Sequence, residues 1–268
     1  MLTTREVLEK LAKKEISVGE AENLLRFLAV EEVGNLAKID ANRELRKGLP
    51  EIILAEGKTT SDLKEISLKM LSRSGRVIIS RCSNKQMQAL REAVPEDADQ
   101  QFCEKARMVL LKRRNFVVKS TGGKIGVITA GTSDIPVAEE AKTVAEEMGC
   151  EVSTIYDVGV AGIHRLLRPL KELMLKDVDC IVVVAGREGA LPSVVAGMVD
   201  VPVIAVPTSN SYGFGEKGVS TLMAMLQSCS LGLAVVNIDA GVAAGAVATL
   251  IANRAAKFRN PAKPEGQF

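Results

Sequence analysis

The sequence predicts an α/β protein whose C-terminal part is a doubly wound parallel sheet in a three-layer αβα arrangement. A short helical segment and a small N-terminal α/β domain precede it. Two observations carry this prediction: short apolar runs alternate with helical segments, and residues 181–184 are continuously apolar. Strands buried on both faces have such runs, and the alternation implies right-handed crossovers between parallel strands.

The patterning divides the 268 residues into four regions. Their boundaries lie where the spacing of apolar residues changes or where glycines interrupt it. The regions are a helical segment (1–30), a small α/β domain (31–121), the parallel-sheet domain (122–257) and a flexible tail (258–268).

The first two regions contain local helix signals. Apolar residues at helical spacing follow Thr3 and Thr4, and Ser17 with Glu20 matches a capping box ahead of Leu24, Leu25 and Leu28. In the second region, apolar runs predict strands at residues 52–54, 77–79 and 108–111, with helices near 61–72 and 84–92 and a helix-ending glycine at Gly75.

The third region has the clearest strand pattern. A β run at residues 125–130 precedes a helix at about 136–148. Further strands are predicted at residues 151–155, 180–184, 202–206 and 233–236, each separated by a helical segment.

The composition excludes several classes of protein. Hydrophobic residues make up 47% of the chain and charged residues 25%, which is typical of a globular protein and not of a disordered one. Aromatic residues are 3% with no Trp, so a stacking surface for single-stranded nucleic acid is not expected. Residues 1–120 have a net charge of +5 and the remainder −3, which we interpret as solvated surface rather than nucleic-acid binding.

Neither membrane insertion nor a metal site is expected. The N-terminus becomes polar at once, and no apolar run reaches 18 residues, so we expect a cytoplasmic protein with no membrane association. The five cysteines are scattered without CxxC spacing, which argues against disulfides and structural zinc.

The chemistry-bearing residues follow the predicted strands, where ligands bind in open α/β sheets. After the first strand, Gly131 permits close backbone approach, and Thr132, Ser133 and the next helix N-terminus offer donors to an anion. Alternatively, Ser133 or Asp134 caps that helix. The segment has neither a GxGxxG pattern nor the lysine of a P-loop.

The segment after the second strand contains Asp157 and, at the start of a helix, His164 and Arg165. His164 is the only histidine in the chain. An exposed histidine at this position transfers a proton or binds an anion. Taken alone, a packing histidine is the favoured interpretation.

The segment after the third strand places Arg187 and Glu188 between Gly186 and Gly189. A partly desolvated carboxylate there is suited to removing a proton from a substrate. The alternative is a glutamate that only complements the dipole of the next helix. The flanking glycines favour the functional interpretation.

The last segment is rich in hydroxyl groups, including Thr208 and Ser209, and leads into a helix with Met223 and Met225. Both methionines are interpreted as core residues. Cys229 follows that helix. Composition and position favour a buried structural cysteine, because a helix C-terminus does not favour a thiolate.

In this order, the motifs resemble the PurE-type aminoimidazole ribonucleotide carboxylase/mutase domain of purine synthesis, over residues 122–257. The matching residues are 131–134 (Gly-Thr-Ser-Asp), 162–165 (Gly-Ile-His-Arg), 185–192 (Ala-Gly-Arg-Glu-Gly-Ala-Leu-Pro) and 202–207 (Pro-Val-Ile-Ala-Val-Pro). The chain departs from that domain at residues 161–165, where the mutase has Ser-Ala-His-Arg. It also departs at residues 187–189, where the mutase has an alanine-and-histidine loop.

The whole chain is more similar to the LarB family of nickel-pincer nucleotide biosynthesis proteins. This resemblance includes residues 40–51 and 229–241, and its specific feature is Gly-Arg-Glu-Gly-Ala-Leu-Pro with a downstream Cys229. It implies carboxylation of the pyridinium ring of nicotinic acid adenine dinucleotide with CO2 or bicarbonate, together with hydrolysis of the phosphoanhydride. The products would be pyridinium-3,5-biscarboxylic acid mononucleotide and AMP, in the first step of that pathway.

The same resemblance implies roles for individual residues. Cys229 is the candidate nucleophile and Glu188 the candidate base, without a tightly bound cofactor but with Mg2+ as a possible requirement. It also implies a homo-octamer, and the alternative activity is that of the purine carboxylase/mutase. The substrate-binding candidates are Gly131, Thr132, Ser133, Asp134, Asp157, His164, Arg165, Gly186, Arg187, Gly189, Thr208 and Ser209, of which the two aspartates would bind a ribose hydroxyl or Mg2+.

Overall fold

A computed structural model describes residues 4–25, 31–33, 37–39, 47–211 and 213–259. The chain divides into two compact units, one of residues up to 102 with 108–116, the other of residues 103–107 with those from 117 onward. In the described part of the chain, no helix combines the length and apolar character needed to cross a membrane. Leu28, residues 40–46 of the front segment and the tail from residue 260 lie outside the described residues.

The first unit begins with the two short helices that the sequence predicts, α1 (Thr4–Ala12) and α2 (Val18–Leu25). The capping box before α2 is formed in both directions. The Ser17 backbone N–H donates to the Glu20 carboxylate at 2.8 Å, and the Glu20 N–H donates to Ser17 Oγ at 3.2 Å. The local signal is therefore confirmed, because both partners of the box are neighbours in sequence.

The rest of the first unit, as far as the structure describes it, contains two sheets. An antiparallel pair joins β1 (Glu31–Val33) to β2 (Ala37–Ile39). A four-stranded sheet has the order β3 (Ile52–Leu54), β4 (Arg76–Ser80), β6 (Met108–Arg113) and β5 (Ala98–Cys103), with helices α3 (Thr60–Ser74) and α4 (Asn84–Arg91). Gly75 ends α3 with a left-handed φ of 70°, as predicted. The prediction missed β5 because residues 99–101 of this strand are polar and exposed.

The second unit contains a five-stranded parallel sheet, which confirms the predicted fold class. In order across the sheet, β11 (Leu233–Val235), β10 (Val203–Pro207) and β9 (Cys180–Ala185) are followed by β7 (Lys124–Thr129) and β8 (Glu151–Ile155). All residues of β9 are buried, because helices cover both faces of the sheet.

Helices complete three layers around this sheet. On one face, small residues of α5 (Ile135–Glu147) and α9 (Gly241–Arg259) form one core cluster. Residues of α6 (His164–Met174), α7 (Leu191–Ala196) and α8 (Val219–Leu226) pack on the other face. The prediction that both methionines of α8 fill the core is half wrong. Met225 is buried, but Met223 is 61% exposed because it lies on the opposite side of the helix.

Candidate active site

The candidate active site is a cavity of about 450 Å³ at the carboxyl ends of the parallel strands. The chain leaves β7 toward β8 on one side and returns to β9 on the other, so the strand order reverses between β7 and β9. Loops that diverge at such a switch point leave a crevice for a ligand. The cavity is lined by the loops after β7, β8 and β9 and by Asn210 from the loop after β10.

The first loop provides hydroxyl groups at the cavity wall. Gly131, Thr132 and Ser133 line it, and the two hydroxyl-bearing residues are exposed. Asn210 Nδ2 donates to the Ser133 carbonyl at 2.6 Å, which ties this loop to the one after β10. No sequence motif singles out Asn210. Its only signal was its position in a polar stretch after a strand.

Asp134 lies beneath this loop and is only 3% exposed. Its Oδ2 accepts from the Gly131 N–H at 2.9 Å, and its Oδ1 accepts from Thr208 Oγ1 at 2.8 Å. Burial raises the pKa of the Asp134 carboxyl, while hydrogen bonds from Thr208, Gly131 and Gly186 act in the opposite direction. Asp134 therefore joins the loops after β7, β9 and β10. It forms no side-chain cap on α5, so the capping alternative for this residue is wrong.

We expect Asp134→Ala to lower the free energy of unfolding by about 2–4 kcal/mol, because several buried donors lose their acceptor. Since the folded-state pKa of Asp134 is raised, folding favours its protonated form, so the stability of the wild type relative to a non-titrating variant is greatest at low pH and falls as the pH rises through that pKa. The matched control is Asp134→Asn, which keeps one acceptor and does not titrate. Denaturant unfolding of the three proteins between pH 4 and 8 measures both effects. Equal stability of the alanine variant and the wild type would contradict this role.

The second loop contains a paired aspartate. The Asp157 backbone has a left-handed φ of 59°, and its N–H donates to Thr129 Oγ1 at 3.0 Å. Arg165 donates from a terminal guanidinium nitrogen to the Asp157 carboxylate at 2.9 Å and from Nε to the Gly162 carbonyl at 3.4 Å. Both side chains line the cavity. His164 is exposed at the start of α6 and is not among the lining residues, so the prediction of a packed histidine is wrong.

The third loop presents Glu188 between two left-handed residues. Arg187 has a φ of 55° and Gly189 a φ of 64°, so the chain turns sharply on either side of Glu188. The Arg187 N–H donates to Ser211 Oγ at 3.1 Å, and Thr221 Oγ1 donates to the Arg187 carbonyl. Gly186, Arg187 and Glu188 line the cavity, whereas Gly189 is buried behind them.

The remaining candidates lie outside the cavity lining. Thr208 is fully buried beneath it and donates to Asp134. The Ser209 N–H donates to Asp239 Oδ1 at 2.9 Å. Cys229 lies in the turn after α8 and is exposed, so the expectation of a buried cysteine is wrong. Residues 228–230 connect the end of α8 to the segment that leads into β11.

The acidic residues of the cavity do not form a metal centre. Where the structure describes the chain, no three His, Cys, Asp or Glu side chains group closely enough to hold an ion. The Asp134 carboxylate is occupied by protein donors, and that of Asp157 is paired with Arg165. These two residues therefore do not fit the Mg2+ role that the resemblance implied for them.

The structure thus brings together nine of the fourteen predicted site residues, two of them cationic. Arginines with serine and threonine hydroxyls suit a phosphate or carboxylate ligand, and the Glu188 carboxylate is available to accept a proton. The residues brought together are Gly131, Thr132, Ser133, Asp134, Asp157, Arg165, Gly186, Arg187 and Glu188. The residues left outside are His164, Gly189, Thr208, Ser209 and Cys229.

Two family models match the chain in succession. Residues 30–114 match the LarB/PurE-like N-terminal domain, and residues 124–262 match AIR carboxylase. The second match covers more than half of the chain and contains the whole cavity.

Similar proteins include an uncharacterized protein of Methanocaldococcus jannaschii, 45% identical over 92% of this chain and 96% of that protein. N5-carboxyaminoimidazole ribonucleotide mutases are similar to less than half of the chain. The one from Methanocaldococcus jannaschii is 33% identical over 44% of this chain and 71% of the mutase, and that from Pyrococcus horikoshii is 29% identical over 46% and 68%. With both domain matches in order, the chain belongs to the LarB/PurE-like carboxylase family and has the domain arrangement of its LarB members.

Proposed function

We propose that the chain carboxylates the pyridinium ring of nicotinic acid adenine dinucleotide with CO2 or bicarbonate and hydrolyses its phosphoanhydride. The products are pyridinium-3,5-biscarboxylic acid mononucleotide and AMP. The domain arrangement of the LarB members supports this proposal over a purine reaction.

The observation that carries the proposal is the presence of Glu188, and not His164, in the cavity. The purine carboxylase/mutase uses a histidine, and the only histidine of this chain is exposed and outside the cavity lining. In the proposed reaction, Glu188 of the cavity lining instead accepts a proton from a bound ring.

The ring chemistry requires a nucleophile, because a pyridinium ring is electrophilic and does not attack CO2. In the proposed reaction, the Cys229 thiolate adds to the ring carbon beside the one to be carboxylated and forms a C–S bond. The product is a neutral dihydropyridine, which is an enamine with a nucleophilic carbon. That carbon bonds to CO2, and the ring nitrogen becomes an iminium.

Glu188 then accepts the proton from the newly carboxylated carbon, and the C–H electron pair restores the enamine. Cleavage of the C–S bond returns its electron pair to Cys229 and restores the aromatic pyridinium ring. One ring proton has been replaced by one carboxylate, and both the thiolate and the carboxylate base are regenerated once Glu188 loses its proton to solvent.

The cationic residues of the cavity are proposed to bind the anionic groups of this substrate. Arg187 and Arg165, with Thr132 and Ser133, supply charge and donors for its phosphates and its carboxylate. The proposal includes no tightly bound cofactor. It also includes assembly into a homo-octamer with the sites near subunit contacts, as the resemblance implies.

The proposal is tested by mass spectrometry of the purified protein incubated with nicotinic acid adenine dinucleotide, bicarbonate and Mg2+. We expect a doubly carboxylated pyridinium mononucleotide together with AMP. Activity on aminoimidazole ribonucleotide instead would assign the purine reaction. Binding of the dinucleotide without turnover would indicate a nucleotide-binding protein, and either result would overturn the proposal.

A further inference from the structure

The turn that contains Cys229 is attached to the helix that follows Glu188. Both sequence neighbours of Cys229 form hydrogen bonds with the same residue of α7. Ser193 Oγ donates to Ser228 Oγ at 2.8 Å, and Ser230 Oγ donates to the Ser193 carbonyl at 2.7 Å. The Ser230 N–H also donates to Ser228 Oγ at 3.2 Å, which closes the turn on itself.

The start of α8, the helix that precedes the Cys229 turn, is joined to the loop that contains Glu188. Thr221, in the first turn of α8, donates to the Arg187 carbonyl, and its hydroxyl lies 3.1 Å from Ser211 Oγ. Gly189 packs so closely on Thr221 that a Cβ there would lie 3.0 Å from the threonine methyl group. α8 is thus held at its start by the turn beside Glu188 and, just after its end, by Ser193.

Ser193 connects the residues on either side of Cys229 to the helix that begins at the cavity. Ala190 and Leu191, at the start of α7, line the cavity together with Glu188. Ser193 follows Leu191 by two residues in the same short helix. The Cys229 turn is therefore attached to this helix through the hydroxyl and the carbonyl of one serine.

We infer that Ser193 is a positioning residue that fixes the Cys229 turn relative to Glu188, an inference that rests on the proposed function. A serine bonded through two atoms to both neighbours of a nucleophile restricts the turn without touching the substrate. Since a displacement of about 1 Å lowers the rate of an enzymatic step by about a hundredfold, loss of this attachment acts on turnover rather than on substrate binding.

The test compares Ser193→Ala with the wild type in the dinucleotide carboxylation assay. We expect kcat to fall by about tenfold to a hundredfold while KM changes by less than about twofold. Ser193→Thr restores the hydroxyl and is expected to restore most of kcat. Ser228→Ala removes the partner of the same hydrogen bond and also the acceptor of the Ser230 N–H, so kcat should fall at least as far as in Ser193→Ala. The double variant should lose little more than Ser228→Ala alone.

The control is Ser153→Ala on β8. It removes a hydroxyl that accepts a hydrogen bond from Lys176 and should leave kcat unchanged. Wild-type kcat in both Ser193→Ala and Ser228→Ala, with Cys229→Ala inactive, would overturn the inference and leave the proposed function intact. A rise in KM equal to the fall in kcat would also overturn it. Full activity of Cys229→Ala would instead overturn the covalent mechanism, and this inference with it.

Discussion

Replacing Cys229 with alanine is expected to reduce the carboxylation of nicotinic acid adenine dinucleotide by at least about a thousandfold, as removal of a covalent nucleophile does in other enzymes. Without the thiolate adduct, the pyridinium ring has no nucleophilic carbon to offer to CO2. Because Cys229 is exposed and lies outside the core clusters, folding should be unaffected. Product formation is measured by mass spectrometry, and the melting temperature of the variant is compared with that of the wild type.

Cys103→Ala is the matched control for this variant. Cys103 is a partly exposed cysteine at the end of β5, and the cavity lining does not include it. We expect Cys103→Ala to retain full carboxylation activity. If Cys229→Ala also retains activity, the nucleophile is not Cys229, and the reaction does not proceed through this adduct.

Replacing Glu188 with glutamine is expected to lower kcat by about a hundredfold to ten-thousandfold, because the amide cannot accept the ring proton. The earlier steps do not need this base. The thiolate should still add, and the carboxylated ring should remain attached to Cys229. Mass spectrometry of the intact protein, quenched during turnover, is expected to show the substrate adduct with one added carboxyl group.

Glu151→Gln provides the comparison. Glu151 is an exposed glutamate at the amino end of β8, whereas the cavity lies at the carboxyl ends of the strands. The Glu151→Gln variant should have wild-type kcat and should accumulate no Cys229 adduct. Normal turnover in Glu188→Gln would assign the proton transfer to another group, whereas loss of activity without an adduct would place Glu188 before C–S bond formation.

The two candidate catalytic residues differ in their relation to the cavity. Glu188 lines it directly, whereas Cys229 lies outside the lining, in a turn that is hydrogen-bonded to α7. The variants described above therefore separate two questions. Cys229→Ala and Glu188→Gln test the chemistry, and Ser193→Ala tests how the two residues are held together.

Most of the fold was predictable from the sequence because strand and helix patterns are local. The continuous apolar run at 181–184 predicted a strand with both faces buried, and every residue of β9 is buried. Strand β5 was missed because its polar residues lack the alternation of a half-buried strand. The cavity was also predictable in outline, since a parallel sheet collects the segments after its strands at one edge.

The roles of individual residues depended on contacts between distant parts of the chain. Asp134 and Thr208 are 74 residues apart, so no local pattern indicates that the aspartate joins loops instead of capping a helix. His164 and Arg165 are neighbours, yet only the arginine faces the cavity, because successive residues of a helix point in different directions.

For this protein, the sequence alone determined the parallel sheet and the segments that line its carboxyl edge, because these depend on hydrophobic periodicity along the chain. Only the tertiary structure decided that Asp134 is buried, that Cys229 is exposed and that Ser193 holds its turn. Burial and hydrogen bonding are set by whichever residues the fold places next to a side chain, and periodicity along the chain does not specify them.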